Sequence, residues 1–173
     1  MIMTSQFTGR LIGGAFGTVF IQANAGALPQ HLAVPLRVLA VAGFAGLLVT
    51  RRGRTAPGGA VPAPRSGFGR RYWYVVAAEV AFLVAGLLVI SRVLHAPHAF
   101  VGWIALVVGV HFFGLAAAWR RPALHALGAA LTACGAVALV LAALDAPAWL
   151  TAITGGIVPG ALLLASAWRA PAS

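Results

Sequence analysis

Glu79 and His111 are the residues of this chain best suited to chemistry. Each falls near the middle of a long apolar run. A carboxylate and an imidazole together can hold and pass a proton near neutral pH. Each is also costly at bilayer depth, so an ionisable residue there is a functional candidate by default. Burial disfavours the charged form of both side chains, and pairing favours it. The competition can leave one proton shared between them. The alternative is a structural hydrogen bond that pins two helices and moves nothing.

The elements that position this pair follow from composition. The chain has 173 residues, 61% of them hydrophobic and 8% charged. A soluble domain carries about 25% charged residues, so this chain cannot cover a water-facing surface and lipid must be its solvent. Six apolar segments approach the roughly 20 helical residues that a hydrocarbon core of about 30 Å requires. They run over 9–28, 32–50, 72–91, 100–119, 123–144 and 149–168. Pro29, Pro97, Pro122 and Pro147 fall in the short connections, where a helix can stop without losing bonds. The expected fold is all-α: a polytopic integral membrane helix bundle of six transmembrane helices. It divides into a two-span hairpin (1–50), a basic loop (51–71) and a four-span bundle (72–173).

Arginine sets the orientation. All twelve basic residues are Arg, and the only acidic ones are Glu79 and Asp145. With the 51–71 loop in the cytoplasm, Arg10, Arg51, Arg52, Arg54, Arg65, Arg70, Arg71, Arg120, Arg121 and Arg169 are all inside. Ten of the twelve then obey the positive-inside rule, with both termini inside. Trp73, Trp119 and Trp168, with Tyr72 and Tyr74, mark the inner interface; Trp103 and Trp149 mark the outer one. The Lys-free, Ala-, Gly- and Arg-heavy usage looks like that of a high-GC bacterial genome, so the expected location is a bacterial cytoplasmic membrane. A net charge of +10 does not indicate nucleic acid, because the arginines cluster at segment ends and form no basic face. A competing reading is a signal peptide: Arg10, the apolar run after it, then Ala23-Asn24-Ala25 resembles a cleavage site. Against it, Gly13, Gly14 and Gly17 suit a helix-packing face. Gly13 and Gly17 form a G-x-x-x-G step, as do Gly156 and Gly160.

In this frame Glu79 and His111 come within about 4 Å of the midplane, on adjacent antiparallel spans. They should reach each other directly or through one water. Gly86 and Gly114 would leave room beside them for a water, a substrate or a close helix. A second polar set lies outward: Gln22 and Asn24 on the first span, Arg37 on the second, Thr151 and Thr154 on the sixth. Facing inward, these would form a vestibule above the pair, with Arg37 near Glu79 or holding an anionic ligand. The alternative for Arg37 is to snorkel to the outer headgroups. His95 and His98, with Asp145 on the next outer loop, have a spacing seen in metal sites, but nothing else supports a metal and none is expected. Thr132 and Cys134 read as core packing. Pro159, mid-span, should kink the sixth helix. No inverted repeat is readable. Nucleophile-elbow, zinc-protease and phosphate-loop signatures are absent, and no cofactor is expected.

Two resemblances follow from these residues. Gly109-Val110-His111-Phe112-Phe113-Gly114-Leu115-Ala116, with Ala78-Glu79 upstream, resembles a group of small bacterial multi-span membrane proteins with a G-x-H-F-x-P-L-A-like span. Gly114 replaces the usual proline, and the resemblance implies no activity. Ala77-Ala78-Glu79-Val80 is similar to the glutamate-bearing first span of small multidrug resistance exporters, over four residues. That resemblance implies a proton-exchanging role for Glu79.

The leading function is proton-coupled transport or efflux of a small apolar molecule, using Glu79 and His111, with Arg37, Gln22, Asn24 and Thr154 lining the path. The runner-up is a membrane-embedded acid–base enzyme, an isomerase or cyclase acting on a lipid-soluble substrate. A non-catalytic interaction subunit is third. The candidate partners are the lipid bilayer, a lipophilic small molecule and further copies of the chain; nucleic acid is not one. The topology makes a direct prediction. In a Cys134→Ala background, an impermeant thiol reagent added outside should label Ala96→Cys and spare Ala60→Cys. The reverse pattern would overturn the orientation.

Overall fold

The structure is a computed structural model that describes residues 5–50 and 70–169. Residues 51–69 of the basic connection, and the side chains of Tyr72, Trp73 and Trp119, lie outside the described residues. The chain is an all-α membrane-type helix bundle. Its helices are α1 (Ser5–Asn24), α2 (Gln30–Val49), α3 (Arg70–Arg92), α4 (Phe100–Trp119), α5 (Pro122–Ala143) and α6 (Ala148–Arg169). Four helical stretches are long and apolar enough to cross a membrane: Gln30–Val49, Pro97–Ala118, Pro122–Ala143 and Ala148–Arg169. The first helix stops at Asn24 and gives way to a 3-10 turn at Ala25–Ala27, earlier than hydropathy alone places its end.

Three connections use one device. His95, Arg120 and Asp145 each adopt a left-handed conformation, with φ of 50°, 52° and 50°. Two residues after each comes a proline: Pro97, Pro122 and Pro147. A left-handed residue ends a helix by turning the chain out of its path. The proline then starts the next helical turn, where its missing N–H costs nothing. His and Asp tolerate the left-handed region better than most side chains. His95 and Asp145 therefore have a backbone role that their spacing as ligands did not suggest.

Lipid does not drive apolar helices together, so close backbone approach must hold them. Glycines supply it. Gly102 and Gly109 on α4 meet Gly135 and Gly128 on α5, in antiparallel register at heptad spacing. A Cβ on Gly128 would come within 2.9 Å of the Gly109 carbonyl oxygen. On the other side of the bundle Gly17 of α1 crosses Gly160 of α6, where a Cβ on Gly160 would lie 2.7 Å from the Gly17 oxygen. Gly13, the other half of that first step, faces open space.

The middle of α6 is a π-turn, Ile153–Ile157. It lies just before Pro159, which cannot donate to the carbonyl of Gly155. The turn aims adjacent glycines at different helices. Gly155 packs on Ala138 of α5 and on Val101 and Gly102 of α4, while Gly156 receives the Asn24 side chain of α1. The Arg120 end of the bundle is tied by Arg10 Nε donating to the Ala167 carbonyl at 2.7 Å, and by Trp168 Nε1 donating to the Gly43 carbonyl at 3.2 Å. Thus α6 holds α1 and α2 on one side and the α4–α5 hairpin on the other. Helix α3 stands apart and packs on α4 and the Pro97–Ala99 turn.

These contacts predict an uneven response to bulk. Gly160→Val and Gly135→Val should each destabilise the bundle by about 1–3 kcal/mol or more, since overpacking here meets backbone. Gly13→Ala should be neutral. Thermal unfolding in detergent would test this, and equal losses at all three positions would refute the packing scheme.

Candidate functional site

Glu79 is nine residues beyond Arg70 on α3, and His111 is eight residues before Trp119 on α4. At about 1.5 Å per residue the two stand about 13 and 12 Å from the Arg120 end of their helices. The helices are antiparallel neighbours, and equal height lets the side chains meet. His111 Nδ1 and Glu79 Oε2 are 2.6 Å apart, the short distance of a charge-assisted bond. It is the one ion pair among the described residues. One proton on the pair gives zero net charge in either arrangement, as neutral acid with neutral imidazole or as carboxylate with imidazolium. Removing that proton, or adding another, leaves a net charge that a low-dielectric setting penalises.

The surroundings differ above and below the pair. Toward the Asp145 end, the Trp103 indole lies on Gly86 and fills the space above that glycine. Its Nε1 donates to the Leu83 carbonyl at 3.1 Å, and its ring packs on Phe82 with centroids 4.9 Å apart. The room expected at Gly86 is therefore taken by an indole that the sequence assigned to an interfacial belt. Toward the Arg120 end, Gly114 has nothing within 4 Å of where a Cβ would stand. The seam is clamped above the pair and open beside it. Glu79 keeps 30% of its side-chain surface exposed and His111 36%.

The second polar set does not join the pair. Gln22, Asn24, Arg37 and Thr154 lie on α1, α2 and α6, away from the α3–α4 seam. Gln22 Nε2 donates to the Arg37 carbonyl at 2.9 Å. Asn24 Nδ2 donates to the Phe20 carbonyl at 2.8 Å while its side chain covers Gly156. Thr154 Oγ1 donates to the Leu150 carbonyl at 2.8 Å, and buried Thr151 likewise to that of Ala148 at 2.9 Å. These bonds return the groups to backbone, so they do not form a common vestibule above Glu79. The Arg37 guanidinium reaches Gly26 in the turn after α1, and its buried Nε has no partner. Its direction toward the end of the bundle is that of a snorkelling arginine, and Glu79 is held by His111 instead.

At the Asp145 end, His98 Nε2 lies 3.2 Å from the Ala142 carbonyl and clasps the Pro97–Ala99 turn to α5. A crevice of about 320 Å³ there is lined by Ile90, Leu139, His98 and Asp145 among others. An apolar groove of about 300 Å³ runs between α2 and α6, past Leu36, Leu39, Leu164 and Trp168. Neither includes Glu79 or His111. Among the described residues no three His, Cys, Asp or Glu side chains gather as a metal site would need. The sequence reading missed the role of one residue that bears on the site: Trp103 as the clamp of α3, for which the only signal was a glycine on the facing helix. No family model, curated protein or solved structure matches the chain.

The geometry predicts strong coupling between the two side chains. Glu79→Leu or His111→Leu alone leaves one polar group without its partner, at a cost of about 1–3 kcal/mol. The double substitution should cost less than either single one. Unfolding free energies in mixed micelles for the four proteins would show this; simple additivity would mean that the bond contributes nothing.

Proposed function

We propose that the chain is a six-span protein of a bacterial cytoplasmic membrane, with both termini inside, that couples proton movement to transport or efflux of a small, largely apolar molecule. Glu79 is the proton-binding switch and His111 its partner. The observation that carries this reading is the 2.6 Å Glu79–His111 contact at mid-helix depth, left open on one side of the seam. A pin whose only task is to hold two helices would be better placed fully between them. The arginine distribution supports the orientation, and the length of α1 and α3, 20 and 23 residues, supports counting them as spans. Gln22, Asn24 and Thr154 shape the bundle in this reading, since their side chains already donate to backbone carbonyls.

The pair works as a switch because its two halves need each other. With one proton it is neutral as a unit and the seam stays closed. A second proton, or a solute group that hydrogen-bonds to the carboxylate, releases His111 and frees α3 from one of its attachments to α4. Glu79→Gln keeps shape and hydrogen bonding and removes titration. In proteoliposomes with a trapped pH dye, a panel of apolar fluorophores should include one whose movement collapses an imposed proton gradient with the native chain. Glu79→Gln should be folded, inactive and insensitive to pH. Full activity of Glu79→Gln, with Glu79→Leu merely less stable to heat, would make the pair a structural pin and end this proposal.

A further inference from the structure

We propose that the Glu79–His111 seam is the contact surface for a second copy of this chain, and that each copy completes the other's polar pair. This rests on the reading of α3 and α4 as membrane spans. The starting point is a misfit. The pair lies at mid-helix depth, yet about a third of each side chain is uncovered. Lipid cannot satisfy it: an uncovered ionisable group at that depth is among the costliest placements in a bilayer. Each partner also has an atom to spare. The bond uses His111 Nδ1 and Glu79 Oε2, and among the described residues nothing else bonds to His111 Nε2 or Glu79 Oε1.

The open side can be identified. At about 100° per residue, Ala78 and Ala85 lie on one flank of Glu79 on α3, and Val110, Gly114 and Ala117 lie on the flank of His111 on α4. In an antiparallel pair these flanks turn to the same side of the seam. All five residues are exposed. Across the seam, Phe112 and Leu115 are partly covered, with Phe112 against Gly128 of α5. The exposed flank thus carries small side chains beside and below a half-covered polar pair, with exposed Phe82 and Val89 on the same flank of α3 toward the Asp145 end. Small residues are what close helix approach in a membrane requires. Helix α3, with α4 as its main support, also gains a second neighbour there.

Charge complementarity selects the occupant. A two-fold axis along the membrane normal brings the same residues of two copies together at the same depth. A self-complementary surface on such an axis needs a donor and an acceptor side by side at one height. Glu79 and His111 meet that condition: His111 Nε2 of one copy faces Glu79 Oε1 of the other, and the reciprocal contact forms by symmetry. Four side chains then close a ring in which two protons neutralise two carboxylates. The transport reading proposed above places its switch in this ring, between the copies.

The test uses association in bilayers, without any transport assay. Chains carrying two C-terminal fluorophores are reconstituted in phosphatidylcholine vesicles and diluted with lipid while energy transfer is followed. The native chain should dimerise, and Glu79→Ala or His111→Ala alone should weaken association at least tenfold. Mixing those two variants should recover at least threefold over either alone, because a mixed dimer restores one Glu79–His111 contact between copies and like dimers restore none. A second measurement leaves the pair intact. In a Cys134→Ala background, Gly114→Cys should cross-link between copies with a short bismaleimide, and Val137→Cys, exposed on α5, should not. A native chain that stays monomeric at every dilution, mixed variants no tighter than like ones, or equal cross-linking at both positions would overturn the proposal. Dimerisation with a fully active Glu79→Gln would sink the transport reading and leave the interface standing; transport by a monomeric chain would do the reverse.

Discussion

Backbone contact at α6 is the constraint on which the rest of the bundle depends. In water, burial of apolar surface would sort these helices. In lipid that force between spans is largely absent, and the interface must come from shape. Helix α6 supplies shape on two sides at once. Gly156 and Gly160 admit α1, and Gly155 admits the α4–α5 hairpin. The π-turn makes this possible, because it widens the helix by a residue and places two consecutive glycines against different neighbours. Pro159 leaves the Gly155 carbonyl without a donor on the next turn, so a regular helix would lose a bond there in any case.

That scaffold explains where the ionisable pair is found. Helices α1, α2, α4, α5 and α6 interlock through small residues and through polar side chains bonded to neighbouring carbonyls. Most of their polar side chains bond to backbone carbonyls, such as Gln22 to Arg37 and Thr154 to Leu150. Helix α3 does not take part in this interlock. Its contacts with α4 among the described residues include an indole on a glycine, the Phe82–Trp103 ring contact, one indole–carbonyl hydrogen bond and the Glu79–His111 bond. Glu79 is therefore on the helix that packing fixes least.

The sequence made the pair legible and its surroundings illegible, for one physical reason. Depth along a span follows from counting residues, and antiparallel neighbours follow from a short loop, so the approach of Glu79 and His111 could be derived. Rotation about the helix axis could not. In an apolar helix surrounded by lipid no polar face marks the outside, so nothing in the sequence said that Arg37, Gln22, Asn24 and Thr154 turn toward α1, α2 and α6 and away from Glu79. The same blindness hid Trp103 over Gly86. The loops were read incompletely for a different reason. His95 and Asp145 were weighed as metal ligands and set aside, and the left-handed backbone they adopt was not considered. Their spacing to Pro97 and Pro147 was in plain view, and so was the same spacing from Arg120 to Pro122.

Among the described residues α3 has two polar attachments to α4, and they differ in kind. The Trp103–Leu83 bond joins an indole N–H to a carbonyl, and neither group titrates near neutral pH. The Glu79–His111 bond joins a carboxyl and an imidazole, each of which can gain or lose a proton. A change in protonation therefore leaves α3 anchored toward the Asp145 end and alters its hold only lower on the seam, where Gly114 offers open space. Gly86, which lies under the Trp103 indole, and Glu79, which holds His111, stand about two turns apart on α3.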